Sequence, residues 1–141
     1  MKTLLSFRCM HAVLAASLLL CGAGAAHADG AAEEVVQPVM RQAIPEAPGK
    51  LVLMATVSYL PGQASAPHMH PGSIFAYVLE GHVVSQLDGA PARTYGPGES
   101  WYEAPGAHHL VSRNASTTEP AKLLVFAVVG EHDPVKLPLP K

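Results

Sequence analysis

The chain has 141 residues, nine Lys and Arg against eleven Asp and Glu, and a net charge of −2. That length holds one domain, and without a basic stripe the chain is not expected to bind nucleic acid. Hydrophobic residues make up 49% and charged residues 14%, which excludes a disordered chain, and thirteen Pro and twelve Gly interrupt it too often for a bundle of long helices.

Residues 1–28 read as a secretory signal peptide. Lys2 and Arg8 supply the positive start, Ala12 to Ala26 the apolar stretch, and Ala26-His27-Ala28 a small-x-small cleavage site. The expected mature chain starts at Asp29, is periplasmic or secreted, and keeps no membrane segment. It loses both Cys9 and Cys21, so its core must hold the fold without a disulfide.

Residues 29–49, with Pro38, Pro45 and Pro48, form an N-terminal arm. Within it, Glu33 to Met40 is suited to pair as an edge strand or to cross to a second subunit. The main domain is expected over 50–141. Lys50 to Leu60 is β-branched and apolar on both parities, a strand covered on both faces. His68 to His70 is a short segment stopped by Pro71-Gly72. Ser73 to Leu79 and His82 to Leu87 follow, the latter ending in the hairpin signal Asp88-Gly89. Further strands are expected at Arg93 to Tyr95, Glu99 to Glu103, His108 to Arg113 and Lys122 to Val129. Pro134 to Pro140 offers a last edge strand. Turn signals at strand-sized spacing, with no 3.6-residue period, specify an all-β sandwich or barrel. The apolar arm and tail would leave open sheet edges, which favours a homodimer.

His68 and His70 lie two apart, so on a strand both imidazoles face one way and can serve one metal, with His109 or His108 as a third ligand. Parity places Ile74, Ala76 and Val78 inward and sets His82 on the outer side. Trp101, Tyr102, Phe75 and Tyr77 read as core packing, with Tyr77 or Tyr102 as alternatives for a hydroxyl in a pocket. Met54 and Met69 read as gap-filling core rather than copper ligands.

The run from Gly62 through His68-Met69-His70 to Gly81 resembles the first cupin motif, G-x5-H-x-H-x3-4-E-x6-G. The run from Gly98 to His109 resembles the second, G-x5-P-x-G-x2-H-x3-N. With flanking strands the resemblance spans residues 50–130. It implies a cupin-type double-stranded β-helix, a small jelly roll, with His68, His70 and His109 as metal ligands. The chain departs from the motifs at three places. Ile74 stands where the motif has its glutamate ligand. The proline and the terminal Asn each fall one place late, at Pro105 and Asn114. Glu103 and His108 are the candidates to replace the glutamate, although Glu103 and Glu80, as strand-end acids, are expected to face solvent.

Cupins that lack the glutamate include three-histidine iron dioxygenases acting on thiols and β-dicarbonyl compounds. The resemblance therefore implies a divalent transition metal, Fe(II) first and Zn, Mn, Ni or Cu as alternatives, with a small chelating substrate. The competing reading is a non-catalytic cupin that binds metal or a small ligand.

Overall fold

The computed structural model describes residues 33–140; the expected signal peptide and its cleavage site at Asp29 lie outside them. Ten strands follow in chain order: β1 (Val35–Ala43), β2 (Lys50–Tyr59), β3 (His68–Met69), β4 (Ser73–Glu80), β5 (Val83–Leu87), β6 (Arg93–Tyr95), β7 (Ser100–Glu103), β8 (His108–Asn114), β9 (Ala121–Gly130) and β10 (Leu137–Pro138). They form two five-stranded antiparallel sheets, ordered β1-β2-β9-β4-β7 and β10-β3-β8-β5-β6. This is the all-β sandwich expected from the turn spacing, and the jelly roll that the cupin resemblance implies. The arm pairs as β1 with β2 of the same chain, and the tail pairs as β10 with β3.

Inward-facing apolar residues of both sheets build the core. Tyr59, Val78, Val83, Ala121 and Leu123 form one buried cluster, and Leu51, Ile74, Ala127 and Val129 another. Ile74, Ala76 and Val78 all point inward, as their parity required. The chain reverses after β4 at Gly81, whose φ of +68° favours glycine. A Cβ there would also sit 2.4 Å from the Pro120 carbonyl oxygen.

The aromatic residues correct one expectation. Phe75, Tyr77 and Tyr102 are 47%, 43% and 49% exposed, so they are neither core nor pocket residues. The alternation that buries Ile74 and Ala76 turns Phe75 and Tyr77 outward. Tyr102 stacks on Phe75 with ring centroids 5.1 Å apart. Only Trp101 of this group turns inward, against Tyr95 at 4.8 Å. The late Asn has a physical cause. Gln86 pairs with Val111 and Leu87 with His109, so Leu110 is an extra residue in β8. Past this bulge Asn114 is buried, donates to the carbonyls of Leu60 and Glu119, and accepts from Ser116 N–H.

Candidate metal centre

His68 on β3 pairs directly with His109 on β8, which puts both side chains on the inner face of the second sheet. His70, two residues beyond His68, turns the same way. The ring centroids of His68 lie 4.8 Å from His70 and 5.0 Å from His109. One nitrogen from each ring falls within 4.8 Å of the others. Met69 pairs with His108 on the opposite face, so His108 stays outside this group. His82 is exposed.

Hydrogen bonds fix the rings. His68 Nδ1 lies 2.7 Å from the Ala66 carbonyl and His70 Nδ1 2.5 Å from the Val135 carbonyl. A carbonyl only accepts, so each Nδ1 carries the proton and each Nε2 presents a lone pair. This is the backing that metal-ligating imidazoles have. His109 is held the other way round. Its Nε2 meets Ser85 Oγ at 2.8 Å, leaving Nδ1 toward the cavity.

Glu103 completes the group and corrects the expectation that it faces water. It is 2% exposed, with Oε1 3.1 Å from His109 Nδ1 and Oε2 3.8 Å from His70 Nε2. Trp101 Nε1 donates to Oε1 at 2.9 Å. The cause is alternation: Trp101 points inward, so Glu103, two residues on, shares its face. Glu103 also pairs directly with Ile74 across the β4–β7 ladder. The carboxylate missing from β4 is thus present one strand over, on the same inner face. Glu80, by contrast, is exposed.

Burial and charge set the protonation states. Desolvation lowers the His68 pKa from 6.5 to about 4, against the opposing pull of the Ala66 carbonyl. Desolvation also lowers that of His70, so both rings stay neutral well below ordinary imidazole titration. Burial alone would raise the Glu103 pKa. Contact with His109, then Trp101 and His70, outweighs it and holds the carboxyl below the usual range. A charged carboxylate therefore lies beside the neutral ring of His70. The 3.1 Å approach of Glu103 and His109 is poorly aligned, and both Glu103 Oε2 and His109 Nδ1 are buried without a hydrogen-bond partner among the described residues. Two orphaned atoms in a nitrogen-rich pocket with one negative charge match the needs of a divalent cation. The donor set fits such an ion.

The site opens into a cavity of about 190 Å³. Ile74, Ala76, Val57, Leu123 and Val125 give it an apolar wall, and Trp101 also lines it. Tyr59, Ser65 and Ser112 also line it, the Tyr59 hydroxyl lying 2.7 and 2.8 Å from the two serine hydroxyls.

The family model for the cupin domain matches residues 55–127. The chain belongs to the cupin family. Several solved structures share its fold. The DMSP lyase DddQ from Ruegeria pomeroyi is 21% identical with a TM-score of 0.61, over 75% of this chain and 51% of that one. The chain thus spans about half the length of that lyase. TT1209 from Thermus thermophilus is 31% identical with a TM-score of 0.54, over 67% of this chain and 82% of that one. An oxalate oxidase in complex with glycolate is 22% identical with a TM-score of 0.56, over 74% and 54%. A search of curated protein sequences gave no significant match. Cupin neighbours of this kind bind small-molecule substrates.

Proposed function

We propose that this cupin is an exported protein that holds one divalent transition metal, Fe(II) first, on His68, His70 and His109. It would act as a mononuclear dioxygenase on a small chelating substrate. The observation that carries the reading is the pair of buried, unpartnered atoms, His109 Nδ1 and Glu103 Oε2, beside two imidazoles with free Nε2 lone pairs. The metal would supply Lewis acidity and reactivity toward dioxygen. The chain's own residues do the rest. Ala66, Val135 and Ser85 orient the three rings, Glu103 sets a negative charge against the cation, and the Ile74–Ala76 wall excludes water from the substrate.

Elemental analysis of the purified protein after loading tests the metal. Wild type and His82→Ala should carry one ion per chain, and His109→Ala almost none. Loss of metal from His82→Ala with retention by His109→Ala would overturn the ligand set. Oxygen consumption with β-dicarbonyl and thiol substrates tests catalysis. Metal uptake without any consumption would assign the chain to the binding class.

We also propose a homodimer. All nine residues of β1 are exposed, and a row of paired residues, Met40, Met54, Phe126, Phe75 and Tyr102, crosses the outer face of the first sheet. An apolar ridge of this kind marks a contact surface. Light scattering at micromolar concentration should give a dimer for wild type and a monomer for Phe75→Lys; a monomeric wild type would reject the proposal. The signal-like segment at residues 1–28 supports a location in the periplasm or outside the cell. N-terminal sequencing of the exported form should begin at Asp29.

A further inference from the structure

A second polar pole lies in the same cavity as the histidines. Glu34, just ahead of β1, and Lys136, just ahead of β10, both line it, although 102 residues separate them. The Lys136 ammonium binds Glu34 Oε1 at 2.5 Å. The Glu34 side chain is only 7% exposed, and its other oxygen, Oε2, is buried with no partner among the described residues. A buried acceptor left unpaired is costly, and more so when charged, so an occupant that donates to it is favoured. Burial raises the Glu34 pKa, but the Lys136 contact outweighs it, so the carboxylate stays charged. Lys136 neutralises that charge, and Oε2 has no hydrogen-bond partner among the described residues. The Tyr59 hydroxyl bonds to both Ser65 and Ser112, two bonds among three hydroxyls, and Ser65 adds to Lys136 in holding the Glu34 carboxylate charged.

We propose that Glu34 Oε2 is a second anchor of the cavity, accepting a hydrogen bond from an amino or hydroxyl group at one end of a small molecule whose other end chelates the metal. The apolar residues that line the same cavity, Val57, Ala76 and Leu123 among them, suit a short hydrocarbon linker. At about 190 Å³ the cavity falls below the roughly 300 Å³ at which drug-sized ligands begin, so the molecule is small. The inference rests on the metal reading for the chelating end only.

The test uses Zn(II)-loaded full chain and a graded series of straight-chain hydroxamic acids, each ended by either an amino or a methyl group. Calorimetry gives the affinities, and metal content is measured beside them. At one matched length the amino compound should bind wild type about tenfold tighter, the effect of one hydrogen bond to a charged group. Glu34→Gln should lose that advantage while methyl-ended compounds bind unchanged. Lys136→Met should enlarge it, because the carboxylate then meets the ammonium alone, a response that a merely structural ion pair would not give. No amino preference at any length, or a preference that survives Glu34→Gln, overturns the inference. If the chain takes up no metal, the metal reading fails separately, and n-butylamine decides the subsite. It should raise the melting temperature of metal-free wild type and leave Glu34→Gln unmoved; an equal response of the two overturns the inference.

Discussion

The β3–β8 ladder and the β4–β7 ladder face each other across one cavity with opposite electrostatic roles. The first brings His68 opposite His109, and burial keeps His68 and His70 neutral. The second brings Ile74 opposite Glu103, and partners keep that buried carboxyl charged in spite of burial. Burial thus acts on both sides, and the neighbours decide which groups stay ionised. A cation between the ladders would satisfy both: lone pairs from the imidazoles and countercharge from the glutamate.

Breaking the histidine ladder should have the largest effect. His109→Ala removes one of three nitrogens, and metal affinity should fall by more than the roughly 10–100-fold typical of losing an orienting partner. Competition with a chelator of known affinity measures it. Retained affinity in that variant would mean the ion sits elsewhere.

Breaking the carboxylate ladder should cost less. Glu103→Gln keeps the shape and an acceptor for Trp101 but removes the charge. Affinity should fall by about 10–100-fold, the range for residues that orient or tune a ligand. A loss as complete as that of His109→Ala would make Glu103 a ligand equal to the histidines.

Acid should act on both ladders in the metal-free protein. His68 has a folded pKa of about 4 against 6.5 unfolded, so the unfolded chain binds the proton first on acidification. Its contribution to stability is complete above pH 6.5 and falls away toward pH 4, by roughly 3 kcal/mol. Glu103, also lowered, adds a loss only below the ordinary carboxylate range. Denaturant midpoints from pH 7 to pH 4 should therefore fall, and His68→Gln should flatten the upper part of the curve. A midpoint that does not move over that range would contradict a neutral, buried His68. Proton competition for the metal should likewise set in below the pH 6 or so expected of ordinary imidazoles.

These ladders also show what could be read from residues alone. The His-x-His spacing and the turn glycines announce the histidine ladder, because both depend on short-range alternation. Glu103 was equally legible: once Trp101 is assigned inward, period two carries Glu103 inward as well. The expectation of a solvent-facing acid weighed residue type above parity, and the same slip placed Phe75 and Tyr77 in the core. Apart from Ala66, two residues before His68, the orienting groups were not legible. The His70–Val135 contact spans 65 residues, His109–Ser85 spans 24, and Glu34–Lys136 spans 102. Each depends on how distant strands fall into register, and no local pattern encodes that.

The smallest expected effect is the most informative about the carboxylate. Ile74 and Glu103 are direct cross-strand neighbours, whose Cβ atoms in such a pair lie about 4.5–5.5 Å apart. Ile74→Glu alone places two like charges side by side in a buried site. The metal-free protein should lose stability, and added metal should restore more of it than in wild type. The double exchange, Ile74→Glu with Glu103→Ile, returns the site to one carboxylate, now on β4. Trp101 Nε1 then loses its acceptor at 2.9 Å, which should cost about 1 kcal/mol and lower the melting temperature by a few degrees. Metal affinity should stay within about tenfold of wild type, because the charge still faces the imidazoles from the same inner face. Chelator competition on wild type, Ile74→Glu, Glu103→Gln and the double exchange separates the two accounts. If the exchange restores what Glu103→Gln loses, the site needs a negative charge on that face and tolerates either strand. If it does not, the contact between Glu103 and His109 Nδ1 is itself the requirement, and β7 is the only strand that can supply it.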